Sequence, residues 1–102
     1  MNKIIENNIN DLKNICLSLD VAKLYVFGSV NSDKFNDDSD IDFLLSFVDG
    51  LSIERYTNNY FDLHYKLREL FNRDIDIITE RTLSNPYFIK SIEESKEIVY
   101  EA

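Results

Sequence analysis

The feature that most constrains this chain is a long amphipathic run, Ile53–Phe71, set between two short apolar runs. Ile53, Tyr56, Tyr60, Leu63, Leu67, Leu70 and Phe71 recur at helical spacing and make one apolar stripe. Asp40–Phe47 before it and Asp74–Thr79 after it read as strands. A helix of this length spans a sheet, so the two strands are expected to be parallel neighbours joined by a right-handed crossover. The expected fold class is α/β (α+β): a small mixed β-sheet of three to four strands flanked by helices.

The rest of the chain supplies the flanks. Ile5, Ile9, Leu12, Ile15, Cys16 and Leu19 share one face of a helix expected from about Ile4 to Leu19. Cys16 lies on that face and is read as a small buried apolar residue. Lys23–Phe27 reads as a strand ended by Gly28, with Ser29 capping a short helix toward Phe35. In Asp40–Phe47, side chains alternate: Ile41, Phe43 and Leu45 point one way, and Asp40, Asp42 and Leu44 the other. Asp49-Gly50 is a turn. Asn85 and Pro86 open another helix as cap and first-turn residue, and Glu97–Tyr100 reads as an edge strand. His64 falls within the long stripe and is expected to be packed or hydrogen-bonded at the core edge. Phe61 and Tyr65 lie off the stripe, where they either wrap the core edge or mark a docking surface.

Length and charge narrow the function. With 102 residues, two Gly, one Pro and no linker, residues 1–102 are expected to form one domain. Eleven Lys and Arg against nineteen Asp and Glu give a formal charge of −8, which disfavours direct binding of nucleic acid. It favours a cation or a basic protein partner. One cysteine cannot form an internal disulfide. The N-terminus lacks the apolar core of a signal peptide, and Leu24–Phe27 is too short to span a membrane. A cytoplasmic protein with no membrane partner is expected.

The chemistry concentrates in Leu24–Phe47. Asp40 and Asp42, two apart on a strand, leave the same face with their bases roughly 7 Å apart. Such carboxylates disfavour each other's charge unless a cation lies between them. A hard ion such as Mg²⁺ takes oxygen ligands and keeps positions open for phosphate. An EF-hand loop starting at Asp38 is excluded, because Phe43 and Asp49 stand where Gly and Glu are needed. Gly28 lets a phosphate approach the backbone, and the Ser29 hydroxyl adds a hydrogen bond. Asp76 lies in an apolar setting, Ile75-Asp76-Ile77-Ile78, and an acid there is either functional or paired. If its strand lies beside Asp40–Phe47, Asp76 projects at the same rim as Asp40 and Asp42, with Asp74 pointing the same way.

Gly28-Ser29, ten further residues, Asp40-Ile41-Asp42 and a later strand acid at Asp76 resemble the signature of the nucleotidyltransferase superfamily related to DNA polymerase beta. From Lys23 to the end of the C-terminal helix, the chain is similar to the minimal nucleotidyltransferases, or MNT proteins, the antitoxins of HEPN–MNT pairs. That resemblance implies that Asp40, Asp42 and Asp76 bind two Mg²⁺ ions and are catalytic, with Asp76 helping to activate the acceptor. It implies that Gly28 and Ser29 hold the triphosphate of ATP. It further implies AMP transfer to a hydroxyl, a tyrosine of a basic, helical HEPN-type toxin, with pyrophosphate leaving. Many members carry Arg and Gly after Gly-Ser; here the segment is Val30-Asn31-Ser32-Asp33, and Lys34 is the nearest cation. An alternative expectation follows from that departure: an antitoxin with weak or lost catalysis that neutralises its toxin by binding alone.

Overall fold

The computed structural model describes residues 1–102. In chain order the elements are α1 (Lys3–Glu6), α2 (Ile9–Ser18), β1 (Val21–Phe27), β2 (Ile41–Phe47), α3 (Ile53–Phe71), β3 (Ile75–Thr79), α4 (Pro86–Ser95) and β4 (Glu97–Glu101), with single 3-10 turns at Gly28–Asn31 and Glu80–Thr82. The sheet order is β3-β2-β1-β4. β1 pairs antiparallel with both β2 and β4, whereas β2 and β3 are parallel. The sheet is therefore mixed and four-stranded, and α3 makes the crossover that its length requires. No helix is long and apolar enough to cross a membrane.

α3 forms because each end is satisfied locally and one face is apolar. The Ser52 hydroxyl accepts from the Arg55 N–H at 3.1 Å, capping the first turn. Asn72 closes the helix in the left-handed conformation, φ 52°. Between them, Leu63 and Leu67 are fully buried, each contributing about 1.5–3 kcal/mol by leaving water. They meet Ile5, Leu12 and Cys16 from the N-terminal helices and Leu24, Val26, Ile41, Phe43, Leu45, Ile75 and Ile77 from the sheet. His64 sits at the edge of this core, 3.0 Å from the carbonyl of Ile75. Phe61 and Tyr65 are 64 % and 62 % exposed, so they point to solvent rather than wrapping the core.

The opposite face of the sheet has its own smaller core. Phe27, Leu44 and Ile92 are buried together there, with Tyr25, Ile78 and Leu83 packed against them. Leu44 thus follows the side of Asp42 but is covered by α4. Asn85 caps α4 by accepting from the N–H groups of Tyr87 and Phe88, and Pro86 stands in its first turn.

Two local expectations are corrected. The N-terminal helix is not continuous: α1 ends at Glu6 and α2 begins at Ile9. The Asn8 side chain donates to the carbonyl of Ile4 at 2.8 Å, an instance of Asn competing with the helix ladder. The helix expected from Ser29 toward Phe35 is one 3-10 turn, Gly28–Asn31. Asn31 stops it by donating to the carbonyls of Val26 and Ser95 at 3.4 and 2.7 Å.

Candidate active site

The two motifs meet where β1 ends and β2 and β3 begin. Phe27 is the Cα partner of Asp42 across the antiparallel pair, so Gly28 follows immediately beside that carboxylate. A Cβ on Gly28 would lie 2.8 Å from Asp42 Oδ2, and the residue has φ +77°. Only glycine satisfies both conditions without strain. On the other side, Asp42 and Asp76 are direct partners in the parallel β2–β3 register. The length of α3 returns the chain one strand over, and the register does the rest.

Asp42 is half-buried, while Asp40 and Asp76 are exposed. Burial pushes the Asp42 carboxyl up to about 6, and the charges of Asp76 and then Asp40 push it in the same direction. The acids are close enough to feel one another. They do not by themselves converge into a closed group of three. This oxygen-only donor set, with mutual repulsion across its members, fits a hard divalent cation, which would relieve the cost that burial and like charge place on Asp42. Asp74 does not join them: its carboxylate lies 3.4 Å from Arg68 Nη2, and its carbonyl accepts from the Ile41 N–H at 3.2 Å.

Gly28 and Ser29 open the 3-10 turn. The Gly28 N–H donates to Ser95 Oγ at 3.1 Å, so the end of α4 holds this turn. Asn31 adds a second tie to Ser95, and Asn2 donates to the Val30 carbonyl at 3.2 Å. Lys34 is exposed beyond the turn. The contacts of Ser95, Asn31 and Asn2 escape sequence reasoning because they join residues 28 to 67 apart with no shared periodicity.

Comparison with known proteins bears on the fold and the family. Residues 9–99 match the nucleotidyltransferase domain family. A protein of Methanocaldococcus jannaschii assigned by name as a protein adenylyltransferase is 31 % identical over 80 residues, covering 78 % of this chain and 76 % of its own. Among solved structures, a toxin–antitoxin complex with AMP-PNP contains a chain that superposes with a TM-score of 0.71 at 20 % identity, covering 93 % of this chain and 74 % of its own. A complex of a tri-AMPylated Shewanella oneidensis HEPN toxin with its MNT antitoxin gives 0.65 at 18 % identity, with 95 % and 72 % covered. The chain belongs to the nucleotidyltransferase family and is a nucleotidyltransferase by fold, relatives and domain match.

Proposed function

We propose that this chain transfers AMP from ATP to a hydroxyl of a partner protein, a tyrosine of a HEPN-type toxin, and thereby acts as its antitoxin in the cytoplasm. The observation that carries the reading is the parallel register that sets Asp76 beside Asp42, with Gly28 packed against the same carboxylate. The name of the archaeal relative and the nucleotide in a structural neighbour support the reaction class. The AMPylated toxin of the Shewanella complex supports a protein acceptor.

Asp40, Asp42 and Asp76 would hold two Mg²⁺ ions. When bound, these supply charge neutralisation at the reacting phosphate and leaving group. Gly28 and Ser29 hold the triphosphate, Gly28 by offering no side chain and Ser29 by its hydroxyl. The acceptor oxygen forms a bond to the α-phosphorus, the bond from that phosphorus to the bridging oxygen breaks, and pyrophosphate departs with the electron pair. Asp76, exposed at the rim, takes the proton of the acceptor hydroxyl. The formal charge of −8 suits a basic partner rather than RNA or DNA.

Incubation with ATP, Mg²⁺ and the purified product of the neighbouring gene tests the reading. The partner gains mass in units of AMP, and the Asp40→Asn, Asp42→Asn double variant abolishes the gain. Absence of transfer by the unaltered chain, or undiminished transfer by the variant, refutes it. One observation favours a second reading, neutralisation by binding alone: the Gly28 N–H already has an acceptor in Ser95, and no cation follows Ser29 in the turn. Under that reading the double variant still protects cells from the toxin.

A further inference from the structure

We propose that Arg73 is a positioning residue for Asp40, fixing the backbone of the loop that delivers this carboxylate to the site; the inference rests on the metal-binding role assigned to Asp40 above. The segment from Ser32 to Asp40 forms neither helix nor strand and carries Asp33, Asp37 and Asp38. It folds on itself: the Asn36 N–H donates to Ser39 Oγ, the Ser39 N–H to the Asn36 carbonyl, and the Asp38 N–H to Asn36 Oδ1. Nothing in these local bonds attaches the loop to the sheet.

Arg73 makes that attachment. Its Nη1 donates to the carbonyls of Asn36 at 3.0 Å and Ser39 at 2.9 Å. The guanidinium lies over the ring of Phe35, 4.6 Å from the centroid. The next peptide is tied as well, since the Ile41 N–H donates to the Asp74 carbonyl at 3.2 Å. Asp40 therefore stands between two anchors, the Ser39 carbonyl and the Ile41 amide, and consecutive residues 73 and 74 supply both. The left-handed Asn72 that ends α3 delivers Arg73 to this place.

Both hydrogen bonds of Nη1 go to main-chain carbonyls although the loop beside it is acidic. An exposed carboxylate at the end of an unattached loop would sample many directions. Outer residues that hold a ligand in place commonly change metal affinity by about 10–100-fold when removed. A planar guanidinium over a ring, bridging two carbonyls, is a geometry that lysine does not reproduce.

The test uses the sign of the effect. Removing a positive charge beside acids tightens cation binding if Arg73 acts only through its field; it loosens binding if Arg73 positions Asp40. Mn²⁺ binding is measured by titration calorimetry on the intact chain, Arg73→Ala, Arg73→Lys, Asp40→Asn and Arg68→Ala, with amide exchange followed at Asp40 and Ile41. Positioning predicts affinity weaker by about 10–100-fold in Arg73→Ala. It also predicts faster exchange at both amides, an intermediate loss in Arg73→Lys, and no loosening in Arg68→Ala. Unchanged or tighter Mn²⁺ binding in Arg73→Ala, while Asp40→Asn loses it, overturns the positioning role alone. Wild-type affinity in Asp40→Asn overturns the metal role of Asp40 first, and the positioning role with it. If Arg73→Ala does not fold, Arg73→Lys decides on the same two readouts.

Discussion

Replacing Asp42 by asparagine should stabilise the metal-free protein, and only at neutral to alkaline pH. Folding raises the Asp42 carboxyl from 3.8 to about 6, chiefly by burial and then by Asp76 and Asp40. A group whose folded pKa is raised is penalised wherever it must be ionised. Its favourable contribution is complete below the unfolded value near pH 4 and is lost as pH rises through about 6. A shift of about two units corresponds to at most about 3 kcal/mol at pH 8, which solvent screening of this half-buried group reduces to about 1–2 kcal/mol. The asparagine amide keeps the shape of the carboxyl and carries no charge, so the variant should be about 1–2 kcal/mol more stable than wild type at pH 8, a gap of about 5–10 °C in midpoint for a domain of this size. Urea denaturation in EDTA at pH 8, 6 and 4 measures the gap, which should shrink toward zero at the lowest pH. Titrating groups away from Asp42 are common to both proteins and cancel. Equal or lower stability of the variant at pH 8, or a gap independent of pH, refutes the reasoning.

Other perturbations separate stability from chemistry. Gly28→Ala and Gly50→Ala each place a side chain at positive φ and should each cost about 1–2 kcal/mol. Only the former sets a Cβ against Asp42, so AMP transfer should fall in Gly28→Ala and persist in Gly50→Ala; equal activities would remove the role of the Gly28 contact. Burial pushes the Cys16 thiol up to about 12, so a chromogenic thiol reagent at pH 8 should react only at the rate of unfolding; prompt native-state labelling would contradict this. Asn72→Gly should raise the thermal midpoint by relieving left-handed strain, and Asn72→Val should lower it.

The frame of this fold was legible because it is written in long-wavelength patterns. A stripe of seven apolar residues between two short apolar runs left few alternatives to a parallel pair, and the Asp42–Asp76 register followed from it. Asn85-Pro86 announced α4 through capping chemistry. What was not legible depends on single side chains reaching distant backbone. The Asn7-Asn8 pair was the available warning of the break between α1 and α2. Asn31 ends its turn by bonding Ser95, a partner that no local pattern could indicate. Arg73 is one of eleven Lys and Arg residues, and nothing in the sequence marks its two acceptors in the loop before Asp40.

β3 is an outer strand, hydrogen-bonded to β2 alone, and its apolar Ile75 and Ile77 flank Asp76. An open ladder of this composition invites another chain to pair with it, and charged side chains along the edge discourage that pairing. Asp76 therefore guards the molecule's solubility from the same position at which it faces Asp42. An Asp76→Ala variant should sediment as concentration-dependent aggregates while Asp40→Asn stays monodisperse. The acid that faces Asp42 is thus also the residue whose loss would let the free edge of the sheet find a second copy of itself.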